Sequence, residues 1–370
     1  MTSALSGDFS VSGAELPIRI RFEHTLYPHW GRWAGYVQVA QHFDRAAFAV
    51  GLHGTPDDDS DVPAWLSPLR PVLKRWCRRS GMRWYKVSDL TAEARIFGEC
   101  IRGCWDIVHL LDGEHSGRYL PDLLKLGGRS SLPVIATFHQ PPEVAEAILD
   151  GELLRRLDHL IIVSPTQAEF FGQFVPAERL HLVLHGVDTS FFAPGDRTRA
   201  NARLKCLTVG NWLRDWDTVR AVATALPEID FEVVTGANLG LMSANVTIRS
   251  GLDDDRLASL YRSADVLFLP LLGATANNAL LEGVASGLPV VSSDIAAVRA
   301  YLPGTEAILV SHADDFVAAL RLLQADEGLR SAMAAQARVR AEELSWPRIA
   351  KLHQAIYERA LGRLAPIHEA

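Results

Sequence analysis

Residues 274–294, ATANNALLEGVASGLPVVSSD, contain a clear helix signal followed directly by a strand signal. Two adjacent asparagines, Asn277 and Asn278, precede an apolar segment with one acid, Glu282, and the segment ends at Gly-Leu-Pro before a Val-Val pair. Asparagine is a good helix N-cap, and glycine followed closely by proline is typical of a helix end. The stretch therefore predicts a helix over residues 277–286 and then a buried strand over 289–293.

Similar pairs of strand and helix occur in both halves of the chain. The apolar runs are continuous, which is typical of buried parallel strands. In the first half we predict strands at residues 18–23, 48–53, 84–87, 107–111, 134–139, 160–164 and 182–185, and helices at 35–43, 69–79, 92–102, 119–125, 142–157 and 166–174. In the second half we predict strands at 205–209, 231–235, 246–250, 266–270, 289–293 and 308–310, and helices at 215–225, 253–262, 277–286, 295–301 and from about 314 onward.

A stretch rich in proline, glycine and charge, APGDRTRANAR at residues 193–203, separates the two halves and is typical of a linker. We therefore predict a polar tail over 1–16, an N-terminal domain over 17–194, a C-terminal domain over 195–345 and a last helical segment over 346–370. The α/β alternation favours two doubly wound, Rossmann-like domains that face each other across a cleft.

The composition is that of an ordinary globular protein, with 370 residues of which 48% are hydrophobic and 22% charged. A net charge of -7 argues against a nucleic-acid partner, and four irregularly spaced cysteines favour core thiols in a reducing compartment. The N-terminus lacks the basic and apolar regions of a signal peptide, and no apolar run approaches the ~20 residues of a membrane helix. We expect a cytoplasmic protein.

Ligands of doubly wound sheets bind beyond the carboxyl ends of the strands, which directs attention to the loops there. Thr275, Asn277 and Asn278 follow a predicted strand at a helix N-terminus, where free backbone N–H groups favour an anion. Glu282, one turn later, is suited to accept hydrogen bonds from a ribose diol. The simpler alternatives are an asparagine N-cap and an acid that stabilises the helix dipole.

A second loop of this kind is TVGNWLRDW, residues 208–216. Its strand ends at Gly210, and Arg214 stands just before the next helix, where a guanidinium can clamp a phosphate. The alternative is a surface pair between Arg214 and Asp215 or Asp217.

The first half offers weaker candidates. GRWAGY, residues 31–36, has two glycines at the first strand-to-helix turn, but it is not the dinucleotide fingerprint G-x-G-x-x-G. His139 ends a strand before Pro-Pro, and DGEH at 112–115 follows another strand. Each of these has a structural alternative: a plain turn, a structural histidine or a solvated loop. The sequence contains no G-x-S-x-G, Walker or H-E-x-x-H motif.

Residues 73–86, LKRWCRRSGMRWYK, are strongly basic and contain three aromatic side chains. Helical spacing places Leu73, Trp76 and Cys77 on one face and the bases on another. A contact with anionic lipid or an anionic acceptor is one interpretation. The solvated face of an outer helix is the interpretation that we prefer from the sequence.

Five segments together resemble the retaining glycosyltransferases of family 4, which have the GT-B fold. They are HGVDTSFFAP at 185–194, VGNWLRD at 209–215, LYRSADVLFLP at 260–270, ATANNALLEGVASGLPVVSS at 274–293 and ELSWPRIAKLHQAIY at 343–357. These patterns are specific as an ordered set, although none would suffice singly. The resemblance covers residues 18–362.

The resemblance implies a nucleotide-diphosphate sugar in the second domain. Glu282 would bind the ribose hydroxyls, Arg214 would neutralise the diphosphate, and His139 would reach the sugar. The implied donor-binding residues are Gly31, Gly35, Gly210, Asn211, Ile248, Arg249, Thr275, Asn277 and Asn278, with the base near Ile248 and Arg249. The last helix, from about Trp346, would cross back onto the first domain.

Two positions depart from the family pattern. The first glutamate of the usual Glu-x7-Glu pair is replaced by Ala274, and the usual Gly-Arg…Lys pair is replaced by Gly210-Asn211…Arg214. The first change bears on the donor sugar, and the second removes one of two cations.

The resemblance therefore implies a retaining, metal-independent hexosyltransferase that needs no cofactor besides its nucleotide-diphosphate sugar. The acceptor would be a glycan, a lipid-linked molecule or a small molecule. Two alternatives stay open: a non-catalytic GT-B subunit that binds a sugar or a partner, and an enzyme similar to the sugar-nucleotide epimerases.

Overall fold

The computed structural model describes residues 16–27, 31–195 and 203–364. Two parallel six-stranded sheets, one in each half of the chain, form its framework. Helices flank both sheets, and this arrangement confirms the predicted fold class of two Rossmann-like domains. The predicted tail over 1–16 lies almost entirely outside the described residues.

The first sheet has the strand order β2-β1-β3-β4-β5-β6. Its strands are β1 Ile18–Leu26, β2 Phe48–Pro56, β3 Ile107–Leu110, β4 Val134–Phe138, β5 His159–Ile162 and β6 Leu180–Leu182. Its helices are α1 Arg70–Cys77, α2 Val87–Ile101, α3 Leu120–Leu126, α4 Pro142–Ile148, α5 Gly151–Leu154 and α6 Ala168–Phe171, with 3₁₀ turns at Tyr36–Gln41, Ala64–Leu69, Pro165–Gln167 and Ala177–Arg179.

The second sheet has the strand order β12-β11-β10-β7-β8-β9. Its strands are β7 Lys205–Val209, β8 Asp230–Val234, β9 Val246–Arg249, β10 Val266–Leu269, β11 Val290–Ser293 and β12 Ala307–Val310. Its helices are α7 Trp216–Ala225, α8 Asp254–Ser263, α9 Asn278–Ala285, α10 Ala296–Tyr301, α11 Ala313–Ala325 and α12 Glu327–Glu343, and the last helix is α13 Trp346–Ala360.

Each sheet has an apolar cluster on both of its faces, and successive residues of a strand point into opposite clusters. In β3, Ile107 packs into one apolar cluster of the first half, whereas Val108 and Leu110 pack into the other. In the second half, Leu267 and Phe268 of β10 are divided between two clusters in the same way. This double burial explains why the strands have continuous apolar sequences.

The strand order places two loops of the second sheet side by side. The chain runs from β7 to β8 and β9 in one direction, whereas β10, β11 and β12 extend in the other, so the order reverses between β7 and β10. A crevice opens at such a point, beyond the carboxyl ends of the strands. The loops that leave β7 and β10 contact each other there, with Arg214 bridged to Leu271.

Helix α13 joins the last part of the chain to the first sheet. Trp346, Ile349 and Tyr357 are buried in the same apolar cluster as strand β1. The hydroxyl of Tyr357 lies 2.6 Å from Nδ1 of His109 in β3. These contacts place α13 on the first sheet, although it follows the second sheet in sequence.

The predicted strand at 84–87 is wrong. Residues 83 and 84 form a turn, and Val87 begins α2, five residues before the predicted helix start. The backbone N–H of Lys86 donates to the carboxylate of Asp89, which fixes a helix start in place of a strand. A short apolar run does not distinguish these two structures by its pattern alone.

Other predicted elements differ in their bounds. The predicted helix at 142–157 is divided into α4 and α5 because Leu149 is extended and Asp150 caps a new helix. The segment predicted as a helix at 35–43 is a 3₁₀ turn, and the strand predicted at 182–185 lies earlier, as β6. In α1, Cys77 is buried as expected, but Trp76 is more than half exposed.

Candidate active site

The loops of both sheets enclose a cavity of about 730 Å³. This volume lies within the range of small-molecule sites. Many of the residues that line it are polar or glycine, among them Gly31, His139, Gln140, Gly210, Asn211, Arg214, Asp254, Thr275, Asn277, Asn278 and Glu282. Nine of the twelve residues predicted for the site therefore lie around one cavity.

Arg214 is held at the cavity wall by the end of β7. Its Nε donates to the carbonyl of Val209 at 2.8 Å, and its Nη1 donates to the carbonyl of Trp212 at 2.8 Å. Gly210 has φ 114, and a Cβ there would lie 2.3 Å from Nη2 of Arg214. Glycine is therefore required at 210 both for the turn and for the guanidinium beside it.

The charge of Arg214 has no carboxylate partner among the described residues within ion-pair distance. Its remaining Nη2 donates to Oδ1 of Asn277 at 3.3 Å. Burial lowers the pKa of Arg214 to about 10, so the side chain stays charged at neutral pH. A buried cation that contacts only neutral acceptors is costly to keep, and an anionic ligand would compensate it.

Helix α9 points its N-terminus into the same cavity. Asn277 caps the helix, with its side-chain oxygen accepting from the backbone N–H of Leu280 at 3.2 Å. The N–H groups of Asn278 and Ala279 have no acceptor within their own helix, and the helix dipole adds partial positive charge there. Arg214 and the start of α9 together form a positive wall of the cavity.

Glu282 lies one turn into α9, four residues after Asn278 and therefore on the same helix face. It is 7% exposed, and its Oε2 accepts a hydrogen bond from the hydroxyl of Tyr261 at 2.8 Å. Burial raises the pKa of Glu282 to about 8, although the Tyr261 bond and the Arg214 charge oppose this shift and the charge of Asp254 adds to it. The cavity thus contains a carboxyl group whose raised pKa favours the protonated form at neutral pH.

His139 forms the opposite wall, at the end of β4. Its Nε2 lies 2.7 Å from the carbonyl of Leu111, so that nitrogen is the donor. The hydroxyl of Thr275 donates to the backbone carbonyl of His139, which connects the β10 loop to the first sheet. His139 and Thr275 therefore lie at the point where the two halves meet.

The glycine loop contacts α8 across the cleft. The carboxylate of Asp254 accepts from the backbone N–H of Arg32 at 2.7 Å. A Cβ at Gly31 would lie 1.8 Å from Oδ1 of Asp254, so only glycine permits this approach. Gly35, with φ 89, lines a small adjoining cavity beside Asn278 and Glu282.

The structure places Ile248 and Arg249 outside the cavity lining. Ile248 is exposed on β9, and Arg249 forms an ion pair with Glu232. Residues Leu252, Asp253, Asp254 and Leu257 line that side of the cavity in their place. Asn211 lies at the cavity, where its Oδ1 accepts from the hydroxyl of Thr235 and the N–H of Gly236, each at 2.7 Å.

Sequence reasoning missed Tyr261, Asp254, Tyr36 and His185. Tyr261 lies within LYRSADVLFLP, whose order indicated the family, but nothing local shows that its hydroxyl reaches Glu282. Asp254 is an ordinary acid in a first helical turn. Tyr36 and His185 line the cavity with ring centroids 5.2 Å apart, a contact between two distant segments.

Two family models match the chain: Glycosyltransferase Family 4 over residues 31–191 and Glycosyl transferases group 1 over residues 203–326. The MMP alpha-(1->4)-mannosyltransferase of Mycolicibacterium hassiacum is 31% identical over 339 residues, covering 80% of this chain and 80% of that protein. The chain belongs to family 4 of the GT-B glycosyltransferases. It is accordingly a glycosyltransferase, and the suspected family is confirmed.

Two further proteins are similar. The D-inositol 3-phosphate glycosyltransferase of an Arthrobacter species is 27% identical over 292 residues, covering 66% of this chain and 69% of that protein. The sucrose-phosphate synthase of Thermosynechococcus elongatus superposes with a TM-score of 0.70 at 17% identity, over 93% of this chain and 100% of that one. The latter likeness supports the GT-B fold.

Within residues 16–27, 31–195 and 203–364, no three His, Cys, Asp or Glu side chains are grouped so that they could hold a metal ion. The helices of the same ranges are all too short or too polar to cross a bilayer.

Proposed function

We propose that the chain is a retaining hexosyltransferase that moves a sugar from a nucleotide-diphosphate sugar to a hydroxyl acceptor. The observation that carries this proposal is the wall formed by Arg214, the N-terminus of α9 and Glu282. It combines an uncompensated cation, free backbone N–H groups and, one turn later, a buried acid. A nucleoside diphosphate presents the matching groups in the same order: phosphate oxygens and then a ribose diol.

In this proposal, Arg214 and the N–H groups of Asn278 and Ala279 bind the diphosphate. Glu282 accepts hydrogen bonds from the ribose hydroxyls through Oε1, while Oε2 stays bound to Tyr261. His139 contacts the transferred sugar through Nδ1, because its Nε2 is engaged by Leu111. Gly31, Gly210, Asn211, Thr275 and Asn277 shape the donor pocket, Gly35 supports it from the adjoining cavity, and Ile248 and Arg249 stay a prediction for the base.

The proposed transfer occurs on one face of the sugar with retention. The bond between the anomeric carbon and the diphosphate oxygen breaks, the acceptor oxygen forms the new bond on the same face, and the acceptor proton passes to the leaving diphosphate. The chain contributes position and charge: Arg214 and the α9 N-terminus stabilise the negative charge that grows on the diphosphate. No essential metal is invoked, since these groups supply the compensating charge.

Ala274 bears on the identity of the sugar. It lines the cavity at the position where the family pattern has a glutamate, so one acceptor of sugar hydroxyl bonds is missing. The acceptor is proposed only as a class: a glycan, a lipid-linked molecule or a small molecule. The two relatives named for mannosyl transfer and for D-inositol 3-phosphate make mannose donors and an inositol phosphate acceptor the first to test.

A second candidate is a GT-B subunit that binds a nucleotide sugar without transferring it. Ala274 and Asn211 favour it, because they replace an acid and a cation of the family pattern, and Asn211 instead braces the β8 loop. A sugar-nucleotide epimerase would also use this donor wall, but it would form no new glycosidic bond.

A thermal-shift panel of nucleoside diphosphates and nucleotide sugars, without acceptor, tests the proposal. A ligand at 100 times its dissociation constant stabilises the fold by about 2.7 kcal/mol. We expect one base to give this shift in the wild type and to lose it in Glu282→Ala. Turnover with a mixed acceptor pool then separates the candidates: a new glycosidic bond supports the transferase, binding without turnover supports the subunit, and a blank panel contradicts both.

A further inference from the structure

An apolar face lies exposed at the start of the outer helix of the first half. Val72 and Trp76 are four residues apart in α1 and therefore lie on one side of it. Leu69 directly precedes α1, and Trp65 lies in the 3₁₀ turn that leads into it. Their exposed fractions are 75% for Trp65, 51% for Leu69, 66% for Val72 and 51% for Trp76. We call these four side chains the tryptophan face.

The tryptophan face is not the side by which the segment packs on the protein. Leu66 and Leu73 pack against the core cluster of the first half, and Cys77 is buried within it. Trp76 touches one ring, that of Tyr119, at 5.2 Å between centroids. The segment therefore has apolar side chains that pack on the core and further apolar side chains that are exposed to solvent. An ordinary surface helix has apolar residues mainly on its packed face.

Positive charge borders the tryptophan face. Residues 64–86 contain seven Lys or Arg and no Asp or Glu, although the whole chain has a net charge of -7. Lys74 and Lys86 pair with Asp59 and Asp57, respectively. Four arginines of this segment, Arg75, Arg78, Arg79 and Arg83, form no ion pair with the described part of the chain.

We propose that the tryptophan face and its arginines form a docking surface for an anionic lipid bilayer. Tryptophan favours the boundary between headgroups and acyl chains, where its ring is in an apolar region and its N–H stays wet. Arginines beside the inserted side chains attract anionic headgroups. A soluble acidic protein or polymer would use the charge but would leave the four apolar side chains unexplained.

The position of this surface suits an enzyme that acts at a membrane. The segment follows β2, at the carboxyl end of the first sheet, the same edge at which the cavity opens. Docking through it would place the first half on the bilayer and leave the donor wall of the second half free. The inference does not depend on the identity of the donor or the acceptor.

Co-sedimentation of the full chain with vesicles tests the proposal. We expect the wild type to pellet with phosphatidylcholine vesicles that contain phosphatidylglycerol, more strongly at low salt than at high salt, and not with pure phosphatidylcholine. Arg75→Gln/Arg78→Gln/Arg79→Gln should weaken the partition about 100-fold, since each arginine near an anionic surface contributes about 1 kcal/mol, or about fivefold. Trp65→Gln/Val72→Gln removes the two most exposed apolar side chains without touching a core contact and should weaken it at least tenfold.

The matched control is Arg321→Gln/Arg348→Gln/Lys351→Gln, which changes the net charge equally at exposed positions of α11 and α13. It should pellet like the wild type. Equal loss in this control would show attraction of bulk charge only and would overturn the proposal, as would a wild type that stays in solution with anionic vesicles. Binding to soluble heparin with no binding to vesicles would assign the arginines to a polyanion instead. Thermal midpoints of the variants confirm that each one is folded.

Discussion

Two buried glutamates, one in each half of the molecule, have very different surroundings. Glu93 of α2 is 1% exposed, and its carboxylate accepts four backbone N–H groups, from Gly117, Arg118, Tyr119 and Leu120, at 2.6 to 2.9 Å. Glu282 of α9 is also buried, but within the described part of the chain its carboxylate accepts a hydrogen bond from Tyr261 alone. Burial raises the pKa of both groups.

The two sites differ in the number of hydrogen-bond donors that they supply to the carboxylate. The loop around Glu93 supplies four donors, so both carboxylate oxygens are hydrogen-bonded and the side chain holds residues 117–120 in place. Among the residues that the structure describes, Oε1 of Glu282 has no donor, and the nearby Arg214 forms no ion pair. A fold tolerates such incomplete polar groups where a ligand completes them. The number of hydrogen bonds to the carboxylate, more than its burial or charge, therefore separates the structural Glu93 from the proposed ligand-binding Glu282.

The largest effect is expected from Arg214→Gln. This change removes the uncompensated cation, so kcat/KM for the donor should fall about 100- to 1000-fold. The thermal midpoint should stay unchanged or rise, because no ion pair is broken. Steady-state kinetics and a thermal scan check both effects, with Arg220→Gln of α7, a partly exposed arginine paired to Asp217, as the control. Turnover within threefold of the wild type would remove Arg214 from the proposed donor site.

Glu93→Gln should act on stability and not on the donor. A glutamine has one acceptor oxygen, and its amide would point N–H groups at backbone N–H groups, so unfolding should become easier by about 3 kcal/mol. The KM for the donor should stay within twofold. Denaturant unfolding and donor kinetics on one preparation test this. A stable variant with a raised KM would mean that Glu93 does not have the structural role assigned to it.

Glu282→Gln is expected to give the opposite pair of effects. Donor affinity should fall about 30-fold, because the carboxylate that receives the ribose hydroxyls is lost. The ligand-free protein should become more stable at neutral pH, by on the order of 2–3 kcal/mol, because a buried ionisable group with a raised pKa is gone. A variant that is less stable than the wild type, with unchanged affinity, would place Glu282 in the same class as Glu93.

The stability that Glu282→Gln gains over the wild type should depend on pH, with a defined sign. The folded-state pKa of about 8 lies above the ordinary value near 4.3, so the folded chain keeps a proton that the unfolded chain loses. Stability of the wild type relative to Glu282→Gln should therefore fall as the pH rises from about 4 to about 8. Donor affinity of the wild type should rise over pH 6 to 8, up to about tenfold per unit, if the donor selects the carboxylate. Unfolding and binding curves at several pH values measure both.

Much of the fold and part of the site follow from local sequence. Continuous apolar runs predicted eleven of the twelve strands within a few residues, because double burial of a parallel strand imposes that pattern directly. The predicted position of β6 was wrong. Arg214, Asn277 and Glu282 were predicted since they stand where strands end, and the reversal of strand order brings those ends together. The strand predicted at 84–87 was wrong, because this segment ends a turn and begins helix α2 at Val87.

What the sequence does not contain is the partner of each polar group. Asp254 contacts Gly31 and Arg32 from a position more than 200 residues away, and Tyr261 reaches Glu282 from a different helix. Trp76 was expected to share a helix face with Leu73 and Cys77, yet Trp76 is half exposed whereas Cys77 is buried. Such facts depend on how whole elements pack, and periodicity within one element does not determine them.

Tyr261→Phe should give the smallest loss of donor affinity of these variants, and it tests the difference between Glu282 and Glu93 most directly. It removes the hydrogen bond that Tyr261 donates to Glu282 and leaves the ring in place, so donor affinity should fall about fivefold. That bond holds the pKa of Glu282 down, so its loss should move the rise of donor affinity to higher pH. A loss of affinity that is the same at every pH would mean that Tyr261 only fills space. A shifted pH profile would show instead that the Tyr261 hydroxyl sets the pKa of Glu282. Glu93 differs, because its four donors would make any one of them dispensable.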